Sequence, residues 1–479
     1  MCIRDRAISP ANPEIIYAIV EAANGKGGFF ASTNRGASWE KRSSHVTSGN
    51  YYQEIIADPV DEHTVYSMDT WMSVTHDGGK TFDLVGEDTK HVDNHCMWIN
   101  PENNQHWVVG CDGGIYETFD AAKTWDFKKN LPVTQFYKVA VDNDYPFYNI
   151  YGGTQDNFSL GGPSRVLTNH GIRNSEWFIT NGGDGFESQV DPNNPNIVYA
   201  QSQYGFLVRF DKRSGEAVGI QPKPRRGENE YNFNWDAPLV VSRHAPGRLY
   251  FSAEKVFRSN DYGNSWEVIS EDLSAQIDRN SLKVYDRVVS IDAVAKNGST
   301  SLYGSIVAFS ESPVNEDLLA AGTDDGLIHI SEDGGQSWRK ISGIAGAPAQ
   351  TYVNSVFLSK HDENVIYVAF NHHKYGDFKP YVFKSTDKGN SWKAIHANLP
   401  ERGSVYAIEE DHKDKDLIFV GTEFGVFFSP DQGQHWKQLK NGLPTIAVRD
   451  IAIQEREDDL VLGTFGRGFW VMDDYSALR

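Results

Sequence analysis

The residues of this chain best suited to chemistry are acids, amides and aromatics set beside glycine in recurring turns. Asp112, Gln155, Asp156, Asn157, Asp324, Asp325, Glu423 and Arg467 fall in one class of short turn. His91, Asp93, His95, Asp184, Glu187, Trp235 and Asp236 fall in a class of longer connection. If both classes converge on one face, they make an acidic, aromatic-bearing rim, the composition of a carbohydrate or peptide groove. Two carboxyls facing one another across a sugar would hydrolyse a glycosidic bond, about 5–5.5 Å apart for retention or about 6.5–9.5 Å for inversion. Asp or Asn beside Gly is also what a tight turn requires, so each residue taken alone reads first as a turn former.

His91, Asp93 and His95 alternate, and on an extended segment all three would point to one side, a spacing that could ligate a metal. No fourth ligand lies nearby in sequence, so a solvated loop is the plainer reading, and neither metal nor cofactor is expected. His372 and His373, with Tyr375 and Phe378, read as a long connection shaping the rim. Sialidase chemistry would need several arginines to clamp the substrate carboxylate, and the turns offer Arg467 with few companions.

What must position these residues is a repeat. The pattern Ser/Thr-x-Asp/Asn-x-Gly-x-Ser/Thr-Trp/Phe, the Asp box, ends at Trp39, Phe82, Trp266, Trp338, Trp392 and Trp436. In the last, His435 takes the Ser/Thr place; a weaker copy with Ala122 for glycine ends at Trp125. The acids Asp77, Asp261, Asp333, Asp387 and Asp431 can accept backbone N–H bonds, the glycine permits positive φ, and the aromatic packs under the sheet. The box reads as a structural staple, and truncating an aromatic such as Trp392 should cost about 3–5 kcal/mol.

Upstream of each box, a short strand, a polar turn such as Asp-Pro-Asn-Asn-Pro at 191 to 195, and an apolar strand precede a Gly-containing turn. The order is therefore strand A, turn, strand B, Gly turn, strand C, box, strand D. Such units start near residues 7, 53, 96, 136, 187, 238, 305, 353, 404 and 449; the fourth, fifth and last lack a clean box. Four-stranded units at this spacing predict an all-β chain of about ten β-propeller blades, since radial closure protects sheet edges. The last unit ends at Val-Met-Asp-Asp without a strand D, which predicts closure by a strand borrowed from elsewhere.

Composition agrees with this and narrows the partners. Aromatics make up 13% of the 479 residues, 43 are glycine, and no apolar run nears the length of a membrane span. Forty-five basic against 65 acidic residues leave a formal charge of −20, which would repel nucleic acid and anionic lipid. Membrane insertion is not expected, and the protein is expected to be monomeric. With three cysteines there is no disulfide framework. Cys96 and Cys111 could meet on neighbouring strands, with two buried free thiols as the simpler expectation.

Asp-Asn-His at 93 to 95, Pro-Val-Thr-Gln-Phe-Tyr-Lys-Val-Ala-Val-Asp at 132 to 142 and Gly-Gly-Thr-Gln-Asp-Asn at 152 to 157 carry a family resemblance. So do Asn-Trp-Asp-Ala-Pro at 234 to 238, Ala-Gly-Thr-Asp-Asp-Gly-Leu at 321 to 327 and Gly-Arg-Gly-Phe-Trp-Val-Met-Asp-Asp at 466 to 474. From about Ala7 to Arg479 the chain resembles bacterial exported Asp-box (BNR-repeat) proteins labelled glycosyl hydrolase or sortilin-like, relatives of the two-propeller xyloglucanases. The resemblance implies two seven-bladed propellers in tandem, and so three C-terminal blades of an incomplete first propeller over residues 1–131, then a complete seven-bladed one over 132–479. A sortilin-type ten-bladed ring accommodates the same count. It also implies an exported, periplasmic or cell-surface protein whose signal peptide would lie beyond this chain; because Ala7 onward already reads as the middle of a repeat, Met1 to Arg6 is expected to be foreign sequence.

The function so implied is binding of a polysaccharide or protein ligand on the face of the B–C turns and D-to-A connections. The alternative is a glycoside hydrolase of xyloglucanase type acting on β-glucan with a pair of carboxylates. In the xyloglucanases that pair comes from the first blade of each propeller, which makes Asp156 the positional analogue of one acid. The other would fall outside this chain. The Gly-Gly-Thr-Gln-Asp-Asn around Asp156 departs from the enzymes' pattern.

Overall fold

The computed structural model describes residues 2–48, 51–284, 286–294, 296–298, 300–440 and 442–479. Antiparallel meanders in the order A-B-C-D make nine four-stranded sheets among these residues, followed by a three-stranded one, and we number these ten blades along the chain. The protein is a β-propeller chain. Blade 7 illustrates the unit, with strands Ile306–Ser312, Asn315–Thr323, Ile328–Ser331 and Arg339–Ile341. Its inner strands are nearly all buried, while strand D is partly exposed, so burial falls outward along this sheet.

Two compact units result. One comprises residues 1–131 and 280–300, the other residues 132–279 and 301–479. The first unit holds blades 1 to 3, and its 280–300 segment carries a small hairpin, Lys283–Val284 with Arg287–Val288. Nothing in the repeat pattern announces that excursion. Ile19, Phe29, Ile55 and Val65 form the seam between blades 1 and 2, and Tyr66, Met72, Val109 and Trp107 the seam between blades 2 and 3.

Blades 4 to 10 make the second unit, and they close on themselves. Each strand A touches the next around the series, and strand A of blade 4, Ala140–Val141, touches that of blade 10, Val448–Gln454. The seams are apolar, for example Ile328, Ile330, Val356, Phe370 and Phe383 between blades 7 and 8. The chain approaches itself closely at the inner strands: a Cβ on Gly153 would lie 2.2 Å from the backbone of Phe186, so only glycine fits there.

Closure differs from the expected borrowed strand. Blade 10 keeps three strands, Val448–Gln454, Asp459–Thr464 and Phe469–Met472. The segment before blade 4 instead meets its inner turn: Phe136 N–H donates to Thr464 O at 3.0 Å, Gly468 N–H to Thr134 O at 2.9 Å, and Gln135 forms one bridge with Phe465. Deeper in the seam, Tyr148 donates to Asp459 at 2.9 Å and Gln454 to Asp142 O at 3.1 Å. Side-chain bonds of this kind recur at other seams, as where Ser359 donates to Glu410 at 2.7 Å between blades 8 and 9.

The Asp boxes are hydrogen-bonded turns. Asp387 Oδ1 accepts from Ser391 N–H and Ser385 Oγ, each at 2.8 Å, and its Oδ2 from Ser391 Oγ at 2.6 Å. Asp77, Asp261, Asp333 and Asp431 accept the same set, His435 replacing the hydroxyl beside Asp431. The aromatics are less uniformly buried than expected. Trp436 is 5% exposed, whereas Trp392 is half-buried and Trp39 is exposed. Four indoles tie their blade to the preceding one: Trp125 donates to Gly86 O, Trp266 to Ile220 O, Trp338 to Ile269 O and Trp436 to Ile395 O. Trp392 bonds within its own turn, to Gly389 O at 3.2 Å.

Cys96 and Cys111 are free thiols, but Cys96 is exposed and Cys111 partly so. The reason is that strand A of blade 3, Asn94–Ile99, alternates between buried and exposed positions and Cys96 falls on an exposed one. Strand A of blade 1 begins at Cys2, ahead of Ala7. Among the described residues no helix is long and apolar enough to cross a membrane.

Candidate functional site

In the second unit the strands A line the central channel. Tyr137 and Lys138 enter it ahead of strand A of blade 4, Glu187 from blade 5, Asp236 just before blade 6, Tyr352 from blade 8, Tyr406 from blade 9, and Arg449 and Asp450 from blade 10. These side chains lie deep yet keep some contact with solvent, as groups lining a narrow channel should.

Electrostatics at the centre turn on Lys138. Desolvation pulls its ammonium down, but Asp236, Asp450 and Glu187 together outweigh this and hold it above the ordinary lysine range, with Arg449 opposing them. The same desolvation raises the carboxyls of Asp236 and Asp450, and pushes Glu187 up to about 7 despite Lys138. Glu187 therefore exchanges its proton near neutrality, the property asked of a general acid. Its oxygens are held in place, Oε2 by Leu239 N–H at 3.2 Å and Oε1 by Gln189 at 2.8 Å. Asp450 Oδ2 accepts from Val139 N–H at 3.0 Å, and Gln201 Nε2 lies 3.5 Å from Asp236 Oδ1.

Aromatic faces immobilise the other cation. The Arg449 guanidinium sits 3.9 Å from the Tyr406 ring centre and 4.3 Å from that of Phe465, two cation–π contacts that leave its edge for polar partners. Tyr137 is the hub toward the turns: burial raises its phenol, and Asp236, Asp156 and Asp184 add to the effect. Its hydroxyl donates to Gln155.

Several of the expected rim residues gather around that hub. Asp156 sits in a left-handed turn at φ 60° with its N–H donating to Asp184 Oδ1 at 2.7 Å, and Asn157 caps the same turn through Gln155 O. Asp184 N–H is held by Gln203 at 3.0 Å. The Trp235 ring meets Phe186 edge-on at 5.8 Å and Tyr204 at 4.9 Å, and Tyr204 is exposed, so an aromatic surface adjoins the acids.

Other candidates are occupied by the protein itself. Asp324 and Asp325 are buried: Asp324 Oδ1 accepts Gly304 and Ser305 N–H, and Asp325 accepts Thr323 Oγ1 and Ala275 N–H. Burial pushes Asp324 up to about 6. These two acids order the connection into blade 7 and face no open groove. Glu423 accepts the Tyr406 hydroxyl. Arg467 is exposed, 3.4 Å from Pro132 O. Farther along the turns, His372 stacks on Tyr375 at 4.4 Å, and the Arg402 guanidinium lies over Phe378 at 5.3 Å. Beside them Phe378, Tyr381, Leu399 and Arg402 help line a cavity of about 620 Å³.

His91, Asp93, His95 and Asp112 belong to the first unit. The segment is not extended, because Asp93 adopts φ 63°, so the three alternating residues do not share one side. His91 Nδ1 lies 2.9 Å from Val92 O, His95 Nε2 pairs with Asp112 at 2.9 Å, and Tyr52 donates to Asp93 while stacking on His95. The connection is anchored by a buried pair, Lys90 with Glu87 at 2.7 Å, which also engages Asn94.

Reasoning from turns missed Tyr137, Lys138, Tyr352, Tyr406, Arg449 and Asp450. The available signal was charge inside strands: Lys138, Arg449 and Asp450 sit in or beside otherwise apolar strands A, and in a propeller those strands face the axis.

No family model matches the chain. Two kinds of xyloglucanase are similar to it in sequence. An oligoxyloglucan-reducing end-specific xyloglucanase of Emericella nidulans is 24% identical over 230 residues, 47% of this chain and 26% of that protein. Xyloglucanase Xgh74A of Acetivibrio thermocellus is 25% identical over 291 residues, 55% of this chain and 32% of that protein. Among solved structures, the Niastella koreensis GH74 enzyme aligns with 96% of this chain and 75% of its own, at 13% identity and a TM-score of 0.29. The chain is thus weakly similar in sequence to xyloglucanases, and what it matches spans about a quarter to a third of their length.

Proposed function

We propose that this chain handles a β-linked polysaccharide on the face formed by the B–C turns and D-to-A connections of blades 4 to 10, as a glycoside hydrolase of xyloglucanase type. What supports this reading is Glu187, buried in the channel among Lys138, Asp236 and Asp450 with its carboxyl pushed up to about 7, and Asp156 beside the Tyr137 hub. Hydrolysis needs one acid that gives a proton and one that stays ionised, and separation of their pKa values by environment is how a pair divides those roles. Trp235 and Tyr204 supply faces on which sugar rings stack. The similarity to two xyloglucanases favours the same substrate class. Such a substrate lies outside cells, so we place the protein there as well.

Binding without cleavage is the second reading. It is favoured by Asp324, Asp325, Glu423 and Glu187 itself, whose oxygens already serve protein donors. Xyloglucan and mixed-linkage β-glucan, offered to the protein and to Asp156→Asn and Glu187→Gln, separate the two. Cleavage lost in both variants supports the hydrolase. Retention of the polymers with no new reducing ends leaves the binding reading alone, and neither retention nor cleavage removes both. Unchanged cleavage by Asp156→Asn strikes that acid from the mechanism.

A further inference from the structure

One cation in the channel of blades 4 to 10 is held by aromatic rings alone. Arg449, on strand A of blade 10, lies with its guanidinium 3.9 Å from the Tyr406 ring centre and 4.3 Å from that of Phe465. Among the described residues it has neither an ion-pair nor a hydrogen-bond partner. Its Nε is enclosed by the protein, whereas both Nη atoms stay open to solvent. A guanidinium is a planar fork of donors that never loses its charge, and two ring faces satisfy none of its N–H groups. Leaving such donors without an acceptor costs stability that a ligand would recover.

The groups beside it are also donors or cations. Lys374, in the B–C connection of blade 8, places Nζ 5.5 Å from the Tyr352 ring centre and, among the described residues, has no ion-pair partner. The Tyr352 phenol feels the Arg449 charge, and no neighbour bonds its hydroxyl. Burial first, and then Lys374 and Arg449, hold His373 below the ordinary histidine range, with Glu423 opposing them. Lys374 and Arg449 therefore act on one shared space.

The nearby acids are engaged elsewhere. Asp236, Asp450 and Glu187 act together on Lys138, Asp450 also accepts Val139 N–H, and Glu423 accepts the Tyr406 hydroxyl. The face is thus divided, with Asp184, Glu187 and Asp236 on the side of blades 5 and 6 and the unpaired cations on blades 8 and 10. A carboxylate fits the fork, since its two oxygens match two parallel N–H groups. A phosphate ester with two charges would meet the channel acids with twice the repulsion, and a hydroxyl would leave the cation uncompensated.

We infer that the channel recognises an acidic saccharide, a uronic acid residue of a β-linked glycan whose carboxylate pairs with Arg449 and is drawn in by Lys374. This rests on the polysaccharide reading above and narrows it from neutral glucans to glycans that carry uronic acids.

Calorimetric titration with glucuronic acid-bearing xylo-oligosaccharides tests it, each compared with the same oligosaccharide after reduction of its carboxyl to the alcohol. In the parent protein the acid form should bind about tenfold or more tighter, an advantage that shrinks as salt is added. Arg449→Gln should abolish the preference, and Lys374→Gln, in an exposed turn outside the sheets, should reduce it severalfold. Equal affinity for the two forms in the parent overturns the proposal, and so does a preference that survives in Arg449→Gln. If that variant does not fold, a preference unchanged in Lys374→Gln overturns it instead. Binding of tetraglutamate at Arg449 in place of the saccharides does the same. If neither form binds while neutral xyloglucan is retained, this inference falls alone; if no glycan is retained, the polysaccharide reading falls with it.

Discussion

Val139 N–H donates to the Asp450 carboxylate at 3.0 Å although 311 residues separate them, so the first and last blades of the second unit meet through a charged side chain at the channel wall. Tyr148 and Asp459, equally distant in sequence, repeat the arrangement in the buried seam at 2.9 Å. Equivalent bonds join four-stranded blades as well, Leu239 N–H to Glu187 at 3.2 Å and Tyr367 to Glu410 at 3.3 Å.

Tyr148→Phe removes the second of these bonds while preserving the packing. The phenol is buried and its partner is an acid, so the loss should be about 1–3 kcal/mol, read as a lower denaturation midpoint. Polysaccharide retention should not change. Equal stability would mean that Asp459 is satisfied by Asp474 N–H and Arg165 alone.

The box tryptophans should not be equivalent. Trp436 is buried and bonded to Ile395 O at 2.6 Å, so Trp436→Ala should cost about 3–5 kcal/mol. Trp392 is half-buried and bonds only within its turn, so Trp392→Ala should cost roughly half as much or less. Chemical denaturation of the two variants side by side checks the order, and equal losses would contradict it.

Glu187 makes stability fall as pH rises. Its folded-state pKa of about 7 exceeds the 4.5 of the unfolded chain, so the native state binds the proton more tightly. Its favourable contribution is complete below pH 4.5 and disappears as pH climbs through about 7, a change of about 1–3 kcal/mol. Glu187→Gln should flatten that slope, as measured by denaturation between pH 4 and 8.

The box acids act in the opposite sense. Asp431 is lowered to about 2: desolvation opposes the shift, but bonds from His435 and Ser429 prevail. A carboxyl depressed in the folded state stabilises above the unfolded value of 3.8 and loses that contribution as pH falls toward 2. Asp431→Asn should therefore narrow the difference in melting temperature between pH 5 and pH 2.5. An unchanged difference would show that this box does not contribute to acid unfolding.

Much of the fold was legible because its signals are local. The box turn requires Asp, Gly and Ser or Thr within eight residues, and strands alternate within six, so blade order and most boundaries follow from short stretches such as Ser385 to Trp392. The excursion at 280–300 was not legible, since it replaces no repeat element and carries no motif. At the site, Asp156, Asp184, Glu187, Trp235 and Asp236 were found through their turns and connections, whereas Lys138, Arg449 and Asp450 were hidden in apolar stretches that resemble core.

Residue types alone determined that this chain makes four-stranded blades in series, that the acids of the boxes cap their own turns, and that its surface is strongly acidic. Only the tertiary structure decided which side chains meet. Seven blades, not ten, close on themselves, and that closure brings Lys138 among Glu187, Asp236 and Asp450, and Arg449 between Tyr406 and Phe465. The reason is physical: a turn is stabilised by neighbours a few residues away, but a channel's electrostatics is a sum over groups hundreds of residues apart, whose distances exist only once the ring has closed.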